Sequence, residues 1–160
     1  MVVVSMKTSI EAYNPSYHNE DIERLSHHLR AMDLLELREK GKWDGVDTLA
    51  EAIQYPDYKN YCAYGDDGTM LGVLGISEKP MYEDMYCIWF MGSTAMETSL
   101  PIKREFVRRS KQMLETWKAE YGRLFNYVHR ENHLIRTWLL SVGATLYDTD
   151  CQEYQLFIID

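Results

Sequence analysis

The sequence predicts a single mixed α/β (α+β) domain over residues 1–160, with a mixed, mostly antiparallel sheet of six to seven strands flanked by helices. Three observations carry this. Strand-like and helix-like segments follow one another in the order β, helices, β, β, β, α, β, α, β, β. Met85–Met91 is a continuous apolar run, as expected of a central strand buried on both faces. The chain has 160 residues, 46% hydrophobic and 26% charged, which suits one core with no need of staples.

The elements are justified in chain order. Val2–Ile10 is β-branched and partly alternating, so it is expected as a first strand. Asn19 stands before the acidic residues Glu20, Asp21 and Glu23, which suits a helix N-cap and first turn. Ile22, Leu25, His28 and Leu29 then fall on one helical face. A second helix around Leu34, Leu35 and Leu37 is expected to stop near Gly41, and a third to run from Val46 to Gln54, before Pro56. Tyr58–Tyr64 and Met70–Ile76 flank Gly65-Asp66-Asp67-Gly68, a hairpin signal. Gly92 closes the apolar strand, and Ser93–Ser99 is expected as a polar loop. The longest helix starts near Pro101 and ends near Gly122. Leu124–His129 is a strand, Asn132–Ser141 a helix stopped by Gly143, and Thr145–Tyr147 with Glu153–Ile159 a final strand pair. Ile88, Phe90, Phe106, Leu114, Trp138 and Leu139 occupy apolar positions and are expected in the core.

Charge and cysteines exclude several classes. Lys plus Arg number 17 and Asp plus Glu 25, a net charge of −8. Such a surface repels nucleic acid, so no direct nucleic-acid partner is expected. No apolar run reaches the roughly 18 residues of a membrane span. The opening Met1–Val4 is too short for a signal-peptide core, so a cytoplasmic location is expected. Cys62, Cys87 and Cys151 are widely spaced and odd in number, a pattern of free thiols rather than a disulfide framework or zinc site. His27 and His28 are adjacent on a helix and point apart. No metal site is expected.

The element order resembles that of the GNAT superfamily of acyl-CoA-dependent N-acetyltransferases. The residues that carry the resemblance are Val128-His129-Arg130-Glu131-Asn132, running into Leu134, Ile135, Trp138 and Leu139, with Gly143-Ala144 following Asn132 at the family spacing. A closer resemblance covers Met85 to the end. Trp89-Phe90, Lys103-Arg104-Glu105-Phe106, Phe125-Asn126-Tyr127-Val128, Ser141-Val142-Gly143-Ala144 and Gln155-Leu156-Phe157-Ile158 look like a small GNAT-like family of tailed phages. Its best-known member is a minor internal virion protein of short-tailed coliphages. This resemblance implies a phage origin, a protein partner from phage or host, and residence in the host cytoplasm or the virion.

The GNAT resemblance implies acetyl-CoA as cofactor, and it assigns expectations to residues. Asn132 would orient the pantetheine arm; it is equally suited to be a plain helix N-cap. The strand from Ile88 to Met91 would supply backbone hydrogen bonds to the cofactor. His129, at the end of its strand, could act as a base near neutral pH, and Glu83 precedes the central strand where such proteins often hold a carboxylate base. Two departures stand against an intact enzyme. The expected pyrophosphate loop, Ser93–Pro101, has no glycine to let backbone N–H groups approach phosphate, and Glu97 adds negative charge there. Phosphate would then depend on Lys103, Arg104 and Arg108, which otherwise form a solvated basic helix face. The tyrosine that many members use to protonate the leaving thiolate is matched by Leu139, which has no proton to give. Two readings follow: a binding protein with a degenerate acetyl-CoA site, or an active N-acetyltransferase for a protein or small-molecule amine.

Overall fold

A computed structural model describes residues 8–160. Seven strands form one sheet: β1 (Ser9–Ala12), β2 (Tyr58–Tyr64), β3 (Met70–Ser77), β4 (Tyr86–Gly92), β5 (Leu124–His129), β6 (Thr145–Asp148) and β7 (Tyr154–Ile159). Their order is β1-β2-β3-β4-β5-β7-β6. Every neighbouring pair is antiparallel except β4–β5, which is parallel. The helices are α1 (Pro15–Ser26), α2 (Ala31–Asp44), α3 (Leu49–Ile53), α4 (Ala95–Thr98), α5 (Leu100–Tyr121) and α6 (His133–Ser141).

Strand alternation divides the core into two layers. On one face Val73 and Met91 pack with Ile22, Leu25, Leu37 and Leu49 from α1–α3. On the other, Ile76, Ile88, Val128 and Phe157 pack with Leu114 and Trp117 of α5 and Leu139 of α6.

Several expectations need correction. Of the first expected strand, residues 2–7 lie outside the described residues, and β1 runs on to Ala12. The first helix begins at Pro15, four residues before Asn19. Asn14 is its cap, accepting from the Ser16 N–H, and Pro15 takes the first turn. Helix α2 runs through Gly41 to Asp44 and ends at Gly45, whose φ of 76° is the left-handed conformation glycine tolerates. Gly41 has a different reason to lack a side chain: a Cβ there would lie 2.4 Å from Cβ of Asp47. The Ser93–Ser99 loop contains the short helix α4. Ile88, Leu114 and Leu139 are buried as expected, but Phe90, Phe106 and Trp138 are only half-buried. They face a cleft.

Candidate functional site

The cleft arises where the parallel pairing stops. β4 and β5 pair at Tyr86↔Leu124 and Cys87↔Phe125 and then part, although each continues against its other neighbour. Asn126 spans the opening. Its side chain donates to the Ile88 carbonyl at 2.6 Å and accepts from the Tyr127 N–H at 2.7 Å, replacing a rung of the missing ladder.

The next step along β4 follows from strand alternation. The Ile88 carbonyl points toward β5. Two rungs on, the Gly92 N–H donates to Asp33 Oδ2 at 2.8 Å and its carbonyl accepts from the Arg30 N–H at 2.9 Å. Phe90, midway between, therefore turns its N–H and C=O into the gap, where no β5 rung stands opposite. Met91, by the same alternation, faces Val73 of β3 and buries its side chain in the α1–α3 layer. The backbone donor expected near Met91 belongs to Phe90.

The opening leads into a cleft of about 1010 Å³ that reaches both faces of the sheet. Its α5–α6 wall is apolar and aromatic. The Phe106 ring lies 4.9 Å from Phe90 and 5.5 Å from Trp138, and the Trp138 indole donates to Ser110 Oγ at 2.9 Å. Arg109 also lines this wall, and its Nε is buried without a partner. The α2 wall is acidic and aromatic, with Glu36, Glu39, Trp43, Tyr58 and Tyr154.

At the mouth of the gap a buried network joins four elements. The Arg30 side chain, only 1% exposed as a residue, donates to Glu97 Oε1 at 2.8 Å, Asp33 Oδ1 at 3.1 Å and Asn132 Oδ1 at 3.0 Å. Asn132 in turn donates to Glu36 Oε1 at 3.0 Å, and the same oxygen accepts from the His129 N–H at 3.1 Å. Burial pushes the Asp33 carboxyl up to about 6, against the pull of Arg30 and the Gly92 N–H. It raises Glu36 as well, partly offset by the Asn132 and His129 donors. One guanidinium serves several carboxylates here, so the sheltered acids hold protons more readily than exposed ones.

The residues expected from sequence divide accordingly. Asn132 opens α6 but makes no side-chain cap. Its amide oxygen accepts from Arg30 and one of its amide N–H groups donates to Glu36, so it positions Glu36 while also lining the cleft. His129 is 8% exposed, lies outside the cleft wall, and stacks edge-on against Tyr154. Glu36 lines the cleft, whereas His129 does not. Glu83 is exposed in the turn before β4, at the strand end opposite the gap. A strand of seven residues places it roughly 20 Å away, which removes it as a base. Arg108 is engaged with Glu105, its Nε donating at 3.0 Å. Lys103 and Arg104 lie near the start of α5 and make no ion pair among the described residues. Glu97 does not oppose a phosphate as an unpaired charge, because Arg30 neutralises it. Sequence reasoning missed Glu36, Asn126 and Arg30; the only signal for them was a polar side chain among apolar neighbours.

No family model matches the chain, and no curated protein matches it. Solved structures do. An acetyltransferase of the GNAT family from Bacillus anthracis superposes with a TM-score of 0.67 at 13% identity, over 99% of this chain and 98% of that one. RimL, a ribosomal L7/L12 α-N-protein acetyltransferase in complex with coenzyme A, gives 0.65 at 12% identity, over 95% and 93%. The Campylobacter jejuni N-acetyltransferase PseH, in complex with acetyl coenzyme A, gives 0.56 at 14% identity, over 95% and 99%. At such identities what is shared is the fold, and the chain carries the GNAT acetyltransferase fold over essentially its whole described length.

Proposed function

We propose that this chain is an acyl-CoA-dependent N-acyltransferase with Glu36 as its proton acceptor. The observation that carries the reading is the cleft through the sheet, with the unpaired Phe90 backbone and the sheltered Glu36 carboxylate on its walls. The residues fit the pantetheine arm and thioester. The gap offers a backbone donor and acceptor, and the aromatic wall of Phe90, Phe106 and Trp138 offers apolar cover. They fit the phosphates less well, since the turn before α5 has no glycine and Pro101 removes a donor. Lys103 and Arg104 would take that role through side-chain charge. Bound acyl-CoA would supply an activated acyl group. The Phe90 N–H would polarise a carbonyl lodged in the gap. Glu36, with its raised proton affinity, would accept the proton released by an attacking amine. Leu139, fully buried, supplies no acid, so the leaving thiolate would be protonated from Glu36 through water in the cleft.

The second reading is a phage-derived binding protein that meets a phage or host partner, as the closer sequence resemblance implies. The glycine-free turn and Leu139 favour it. One experiment separates the two. Acetyl-CoA is titrated calorimetrically, and thiol release is followed with a panel of amines. Catalysis predicts saturable binding that weakens with salt and weakens further in Lys103→Ala/Arg104→Ala. Glu36→Gln should keep that binding and lose about 10²–10⁴-fold in turnover. No binding at millimolar acetyl-CoA, and no thiol release, leaves the binding-protein reading. Turnover unchanged in Glu36→Gln removes Glu36 as the base.

A further inference from the structure

We propose that Glu39, His129 and Glu153 form a binding site for a first-row divalent transition-metal ion. The three residues come from α2, the end of β5 and the turn before β7, and each presents one ligand atom, all within 4.8 Å of one another. The set is not a surface cluster of acids. Its centre is an imidazole whose residue is only 8% exposed. The Glu131 N–H donates to Nδ1 of that ring at 3.1 Å, so in the metal-free protein the ring proton sits on Nε2; a metal at Nε2 moves that proton to Nδ1, and the Glu131 contact is given up. Among the described residues Nε2 has no hydrogen-bond partner, and no ion pair joins the ring to either carboxylate. A buried histidine beside two carboxylates that simply formed an ion pair would touch one of them.

The surroundings support ligation. The Tyr154 hydroxyl donates to Oε2 of Glu39, holding that carboxylate in orientation while Oε1 stays available. Glu153 is exposed and gives an ion a way in. The cations nearest in sequence are engaged elsewhere: Arg130 with Asp148, and Lys40 with Asp44. Two ligands at about 2.1 Å from an ion lie at most about 4.2 Å apart. Binding therefore draws the set together by roughly half an ångström, which rotation of Glu153 can supply. One imidazole with two carboxylates suits Zn²⁺, Mn²⁺, Fe²⁺ or Co²⁺, whereas Mg²⁺ and Ca²⁺ favour all-oxygen sets. Glu39 and Glu153 also line the cleft, so coordination positions not filled by protein are open to water or to a molecule on the α2 wall.

The test uses the metal alone and is independent of any acyl transfer. Chelator-treated full-length protein is titrated with Zn²⁺ by calorimetry and with Co²⁺ by absorption. One equivalent of Zn²⁺ should bind and raise the melting temperature, and Co²⁺ should show visible d–d bands without a thiolate charge-transfer band. Equimolar Mg²⁺ should do neither. Glu153→Gln, at an exposed position, should fold normally and weaken Zn²⁺ at least about tenfold, and Glu39→Gln should do the same. Absence of saturable Zn²⁺ binding overturns the site. So does binding that is unchanged in Glu153→Gln, or a thiolate band, which would place the ion on Cys151.

Discussion

Asn132 shows how a residue's surroundings settle its role. The position suits a helix N-cap, yet the side chain makes no cap, because Arg30 holds its oxygen and one amide N–H is given to Glu36. The same network makes Asp33 a measurable group. Its carboxyl is pushed up to about 6, chiefly by burial, so between the ordinary carboxylate range and that value the native state binds more protons than the unfolded chain. A raised folded value gives stability that is full below the unfolded pKa and is lost as pH rises through the folded one. Asp33→Asn removes this dependence. The stability of wild type relative to Asp33→Asn should therefore fall, by up to about 3 kcal/mol, as pH rises from about 4 to about 7. Urea unfolding of both proteins across that range measures it, and a flat difference would show that Arg30 compensates Asp33 fully.

Among elements, the seam between β4 and β5 depends most on a single side chain. Two paired rungs and the Asn126 amide join these strands. Asn126→Ala removes both hydrogen bonds and leaves the Ile88 carbonyl and Tyr127 N–H without them, at a cost of about 1–3 kcal/mol. The Tyr127 amide should exchange faster than its β5 neighbours in that variant; equal protection would mean that water replaces the bridge without loss. The strands themselves were legible from sequence, since Met85–Met91, Tyr58–Tyr64 and Leu124–His129 announce themselves by apolar runs and alternation. Helix ends were less so. Asn14-Pro15 was as good a start as Asn19, and Gly41 looked like a stop because its actual constraint, the approach of Asp47, is tertiary. The cleft was legible only as a consequence of topology. Glu36 lies on a helix whose hydrophobic periodicity is weak, and nothing local to it signals that β5 and α6 will bring an amide and a backbone N–H to its carboxylate. Phe90 and Phe106 read as core because an apolar cleft wall and a core face have the same pattern.

At the scale of the whole molecule, the sheet is two antiparallel ribbons, β1–β4 and β5–β7–β6, each with its own ladder and joined at a short parallel seam. The α1–α3 layer packs mainly on the first ribbon and the α5–α6 layer beneath the seam. Cooperative units follow dense contacts, so the seam should open at a lower free energy than either ribbon. The Arg30 network and the Glu36 contacts to Asn132 and His129 are the ties that keep the halves in register. A ligand lodged in the cleft touches both ribbons and should stabilise the seam specifically, because only binding to the closed state shifts the equilibrium. In native-state hydrogen exchange, the Tyr127 and His129 amides should therefore exchange through a sub-global opening, faster than the Val73 and Phe157 amides of the ribbon interiors. Saturating acetyl-CoA should slow the first group by at least about tenfold, while leaving the second nearly unchanged as long as those amides do not exchange by global unfolding. Uniform protection across these four amides would show a single cooperative sheet. Slowing confined to the start of α5 would show that the ligand is held by its phosphates alone and does not enter the gap between β4 and β5.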